Sequence, residues 1–136
     1  MKFGGIIFDE HLEMHFFSED LNKSIRVVLS DSLYASEEEL TESYRMKISD
    51  FINNLPNWYN KSVDSVLQRA KTVYNIDAQS DDVQLMSIFV LFEQDEKELY
   101  GLSFRVNFDI EHGCGLKITN DAYEITEIGS GDVAFC

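Results

Sequence analysis

The chain reads as a single α+β domain, residues 1–136, in which an antiparallel β-sheet of about six to seven strands carries a two-helix hairpin. Three observations lead there. Tyr100, Leu102, Phe104, Val106 and Phe108 fall on every second residue, with Ser103, Arg105, Asn107 and Asp109 among the positions between, the period of a half-buried strand. Leu40, Tyr44, Ile48, Phe51, Ile52 and Leu55 recur instead at helical spacing. At 136 residues, 44% hydrophobic and 12% aromatic, the chain has material for one core and no linker of the kind that separates two.

Taken in order, residues 3–17 predict a hairpin, since Ile6 and Phe8 alternate before Asp9-Glu10 and Leu12, Met14 and Phe16 alternate after it. A third strand follows over residues 24–29, with Ile25, Val27 and Leu29 pointing one way. Ser36 and Glu39 have capping-box spacing and three glutamates follow Ser36, so the first helix is expected to start there. Leu55-Pro56-Asn57 ends it, because proline lacks the amide that would continue the ladder. A second helix is expected over residues 58–74, burying Tyr59, Val63, Val66, Leu67, Ala70, Val73 and Tyr74. Residues 77–82 are a polar linker. Residues 83–92 are apolar on both parities, which places that strand centrally. The charged turn QDEKE, residues 94–98, then leads into a meander divided by Gly113-Cys114-Gly115, by Asn120-Asp121 and by Gly129-Ser130-Gly131-Asp132. The expected order is three strands, two helices and four strands, written β3-α2-β4.

Charge narrows the function classes. With 25 Asp and Glu against 11 Lys and Arg, the formal net charge is -14. Such a field repels nucleic acid and anionic lipid and draws in basic proteins at a salt-dependent rate, so direct nucleic-acid binding and membrane association are not expected. The opening MKFGGIIFDEHLEMHFF interrupts its apolar run at Asp9, too soon for a signal peptide or a membrane span, and two cysteines make no secreted disulfide framework. A cytoplasmic protein with free thiols is expected.

Chemistry-bearing residues are few. His11, Glu13 and His15 alternate, as metal ligands on one strand face would, but Leu12, Met14 and Phe16 on the other parity make these three the solvent face of an amphipathic strand. Asp109, Glu111, His112 and Cys114 put a carboxylate, an imidazole and a thiol in one short segment, an alternative reading as a small enzyme or metal site. Their spacing matches no catalytic motif, and Gly113 and Gly115 favour a structural turn. Gly129-Ser130-Gly131-Asp132 lacks the lysine of a phosphate-binding loop and reads as a turn between strands. Tyr44, Trp58, Tyr59 and Tyr74 lie on apolar stripes and read as core. No catalytic residue, metal ligand or cofactor is assigned.

The acids are unevenly spread. Asp77, Asp81, Asp82, Glu93, Asp95, Glu96 and Glu98 flank the central strand, opposed only by Lys97, and Asp109, Glu111, Glu124 and Asp132, with His112, extend the same half. These twelve are the expected partner-binding residues, because solubility needs far less charge and the surplus costs stability through self-repulsion.

Phe3 and Gly4, then Asp109, Glu111, His112, Gly113 and Gly115, then Ile128, Gly129 and Asp132, in FDIEHGCGLKI and IGSGDVAF, form a pattern that resembles a group of small acidic bacterial domains. Those domains are similar in size and acidity to immunity proteins of contact-dependent growth-inhibition and other polymorphic toxin systems. The resemblance implies an antitoxin that binds a cognate basic toxin domain, a nuclease by expectation, and occludes its active site. It brings no catalytic residues with it, and a general regulatory interaction module shares the same binding property.

Overall fold

A computed structural model describes residues 5–136. Its elements are β1 (Glu13–Ser18), β2 (Lys23–Leu29), α1 (Glu42–Asn53), α2 (Leu55–Arg69), β3 (Val83–Val90), β4 (Leu99–Val106), β5 (Cys114–Thr119) and β6 (Ile125–Gly129). The α+β class holds, with a six-stranded sheet in sequence order, β1-β2-β3-β4-β5-β6. The sheet is mixed rather than antiparallel, because β2 and β3 run parallel. Both helices lie in the connection between them, which returns the chain to the end of the sheet from which β2 started, as a parallel neighbour requires. Among the described residues two strands, not three, precede the helices.

The missing strand is the first arm of the expected hairpin. Its described part, residues 5–8, forms no ladder, although Ile6 is buried in the core. The side chain of Asp9 accepts the amides of His11 and Glu13, and Leu12 takes a positive φ of 62°, so residues 9–13 close on themselves as a tight turn. The actual hairpin joins β1 to β2, through a turn in which Asn22 is left-handed. Phe3 and Gly4 lie outside the described residues.

The first helix also starts later than expected. Ser36 sits in a short 3-10 turn, Tyr34–Glu37, and donates its hydroxyl to the Leu33 carbonyl at 2.7 Å. The cap is Thr41, whose Oγ1 accepts the Tyr44 amide at 3.1 Å. The reason lies far away in sequence. The Glu93 carboxylate takes the amides of Tyr34 and Ala35, and the Gln94 side chain takes that of Thr41, so the β3–β4 loop fixes where this segment turns. Proline does separate the helices, but from within the first turn of α2. Beyond Arg69, residues Ala70–Tyr74 widen into a π-helical turn that Asn75 closes in the left-handed region. Val73 lies on its outer side, 56% exposed, rather than in the core.

Strand register shows how the two faces divide. Met14, Val27, Ile88, Leu102, Leu116 and Ile128 are partners in one row across all six strands, and their side chains belong to the face that the helices cover. His15, Arg26, Ser87, Ser103, Gly115 and Gly129 form the row of opposite parity on the back face. A bulge between Leu85 and Ser87 shifts the alternation of β3 by one residue, so that Leu85 before it and Ile88 after it both face the core. Under the helices, Trp58 stacks on Phe51 with ring centroids 4.6 Å apart, and Phe51 stacks on Tyr100 at 3.8 Å. Trp58 Nε1 donates to the Phe51 carbonyl and the Tyr44 hydroxyl to that of Phe92, so these buried aromatics satisfy their polar ends.

The chain after β6 is not a turn between strands. Gly131–Ala134 form a 3-10 turn laid over the back of β4 and β5. A Cβ on Gly101 would run into the Ala134 carbonyl oxygen, and one on Gly115 would stand 2.7 Å from that of Gly131. The two strand glycines are the seat for this turn.

Candidate functional site: two acidic ends of the sheet

The twelve expected partner-binding residues do not form one surface. Val83 pairs with Val106 at one end of the β3–β4 ladder and Val90 with Tyr100 at the other. At the first end lie Asp77, Asp81, Asp82, Asp109, Glu111, His112 and Asp132, in the loops that enter β3, leave β4 and follow β6. At the second lie Glu93, Asp95, Glu96, Glu98 and Glu124, in the β3–β4 and β5–β6 loops. Eight-residue strands set these ends about 25 Å apart.

At the first end Asp82 and Asp109 hold separate elements together, and Asp77 and Asp132 make local surface bonds. Asp82 accepts the Gln79 amide and the Asn107 side-chain amide, fastening the entry of β3 to the exit of β4. Asp77 pairs with Lys71 at 3.1 Å, and Asp132 accepts the Ser130 hydroxyl at 2.7 Å. Asp109 accepts the Tyr74 hydroxyl at 2.5 Å, the His112 amide at 3.2 Å and His112 Nδ1 at 3.0 Å. The Tyr74 hydrogen bond leads in holding the Asp109 carboxyl below its ordinary range, and the His112 bonds add to it. The bond to Asp109, followed by its charge and that of Glu111, raises His112 above its usual value.

The segment from Asp109 to Cys114 does not converge as a reactive centre. Asp109 and His112 pair at the surface, Glu111 is exposed, and Cys114 lies in the core cluster under the helices, 2% exposed. Burial pushes its thiol up to about 11, so at neutral pH it is protonated. His11 falls in the tight turn ahead of β1, and Glu13 pairs with Arg26 at 3.6 Å. Among the described residues no three His, Cys, Asp or Glu side chains stand close enough to hold a metal ion together.

The second end is concave. Lys47 of α1, residues 95–98 of the β3–β4 loop, Thr119 at the end of β5, and Asp121 and Glu124 of the β5–β6 loop line a cleft of about 510 Å³. Five acidic residues line it, Asp95, Glu96, Glu98, Asp121 and Glu124, with the two lysines Lys47 and Lys97. Two of the acids are structural. Glu98 accepts the Tyr100 hydroxyl at 2.7 Å and Asn120 Nδ2 at 3.1 Å, and Glu96 accepts the Glu93 amide. Glu98 thereby ties the two loops to each other and to β4, and Glu96 closes a turn within its own loop. Asp95 and Glu124 are exposed on the rim. Glu93 points away from the cleft into its two amide bonds with the 3-10 turn. Lys47 and Asp121 complete the lining, and helical spacing in α1 gave no reason to bring Lys47 there.

No family model, curated protein or solved structure matches the chain. Among the described residues no helix is long and apolar enough to cross a membrane.

Proposed function

We propose that this domain is an immunity-type protein that acts in the cytoplasm by binding a basic toxin domain, a nuclease, and covering its active site with the concave acidic end of the sheet. The observation that carries the reading is the cleft itself, lined by five acidic residues from two loops and by two lysines. A nuclease collects cations to hold phosphates, and a rigid surface of fixed carboxylates competes for the same field. The work is done by occlusion, and no bond in the partner is made or broken. Rigidity comes from Glu98, which ties Tyr100 of β4 to Asn120 of the β5–β6 loop, and from Glu93, which ties the β3–β4 loop to the segment before α1. Preset loops lose little conformational freedom on binding.

The test is calorimetric titration with the basic protein encoded by the adjacent reading frame. Tight binding that weakens as sodium chloride rises is expected, and the triple substitution Asp95→Asn, Asp121→Asn, Glu124→Gln should weaken it further. Absence of binding, or binding indifferent to salt and to the triple substitution, would refute the reading.

A further inference from the structure

Arg69 ends α2, and it is half-buried rather than turned out to solvent. Its Nε lies buried without a hydrogen-bond acceptor, and its guanidinium sits 6.0 Å from the centre of the Tyr74 ring. The charge is felt at the Tyr74 hydroxyl and at the buried Cys114 thiol. Among the described residues no carboxylate stands within ion-pair distance of it, although the chain has 25 Asp and Glu. Lys71 nearby takes Asp77 at 3.1 Å, and Asp109, the acid beyond Tyr74, already accepts the Tyr74 hydroxyl and His112 Nδ1. A half-buried cation without a counter-ion is unfavourable, and an anion beside it relieves the penalty.

There is room for one. A groove of about 340 Å³ runs between the last turns of the helical segment and the edge strand β6, lined by Ser65, Gln68, Arg69, Thr72, Val73 and Ile128. Clefts of this size hold small ligands, and none of these residues lines the acidic cleft. Ser65 and Thr72 give their hydroxyls to carbonyls one turn back, and Gln68 Nε2 reaches Thr72 Oγ1 at 3.4 Å, so Arg69 is the donor left unengaged. The π-helical turn Ala70–Tyr74 carries Val73 outward, 56% exposed, where it adds an apolar wall to that of Ile128. Turns of this kind recur at functional sites. The carbonyl end of α2 disfavours a phosphate dianion here, whereas a planar guanidinium accepts a single carboxylate through paired hydrogen bonds. We propose that this groove binds a small amphipathic carboxylate, its charge on the Arg69 guanidinium and its hydrocarbon body against Val73 and Ile128.

Amide NMR of the full chain tests this by titration, at constant ionic strength, with sodium octanoate, with 1-octanol and with sodium phosphate. Octanoate should produce saturable shifts centred on residues 65–73 and 125–129, with binding in the millimolar range or tighter. Octanol has the hydrocarbon without the charge and phosphate the charge without the hydrocarbon, so both should bind more weakly. Arg69→Met keeps the bulk of the side chain and removes its charge, and should weaken octanoate binding about tenfold or more. Loss of an unpaired cation should leave its stability toward urea at or above that of the native chain. If that variant fails to fold, Val73→Asp, at an exposed position, sets a carboxylate in the groove and should abolish binding by repulsion. The inference is overturned by absence of saturable shifts with octanoate, by octanol or phosphate binding as tightly, or by native affinity in the folded variant.

Discussion

The Tyr74 hydroxyl donates to the Asp109 carboxylate at 2.5 Å, joining the π-helical turn after α2 to the loop between β4 and β5, thirty-five residues away. The same carboxylate holds His112 through Nδ1. Asp109 is lowered by its Tyr74 bond, so its contribution to stability is present above the ordinary aspartate value of about 4 and is lost as pH falls through its lowered folded value. His112 is raised by Asp109, so its contribution is complete below about 6.5 and is lost as pH rises through its raised folded value. The stability difference between the native chain and D109N should therefore be largest between about pH 4 and 6.5. Urea titrations across that range check it, and NMR titration should find the His112 midpoint lowered in D109N.

The start of α1 can be tested with two alanines. Thr41→Ala removes the acceptor for the Tyr44 amide and should cost about 1 kcal/mol. Ser36→Ala removes only a bond to the Leu33 carbonyl within the 3-10 turn and should cost clearly less. Equal losses in chemical denaturation would contradict the assignment of the cap.

Gly101→Ala drives a methyl group into the Ala134 carbonyl oxygen, a clash that only a shift of backbone can relieve. A loss of about 1–3 kcal/mol is expected from this overpacking. Amide exchange should accelerate in residues 131–136 before the rest of the sheet responds. A neutral substitution would mean that the turn is not seated on the strand.

The two thiols should differ sharply toward a disulfide reagent at pH 8. Cys136 is exposed and reacts in the native state, whereas Cys114 is buried and its thiol stands at about 11. One equivalent released at once and the second only on unfolding is the expected result.

Local periodicity was enough to read β2, β4 and the middle of each helix, because there the apolar repeat matches the buried face, whereas the start of α1 and the residues past Arg69, with Val73 exposed, depart from it. Leu102 and Phe104 sit in the core as alternation requires, and Ile48, Phe51 and Ile52 do so as helical spacing requires. What local pattern misses is set by distant partners. Ser36 carries every mark of a helix cap, but Glu93 and Gln94 draw its neighbourhood into a 3-10 turn and pass the cap to Thr41. Strand direction was equally hidden, since nothing in residues 24–29 or 83–90 states that the two run parallel. The acidic surplus was visible as composition, but its division between two ends follows from register. Asp95 and Glu124 meet at one cleft because Val90 pairs with Tyr100 and Tyr100 with Ile118.

The parallel contact between β2 and β3 also has a kinetic side. The β3–β6 meander closes only short loops, whereas joining the β1–β2 hairpin to it must first bring together residues separated by both helices. Chain entropy therefore favours assembly of the C-terminal meander before the N-terminal hairpin docks. Hydrogen exchange under mild denaturant should find the hairpin amides of β1 and β2 exchanging before those of β4 and β5.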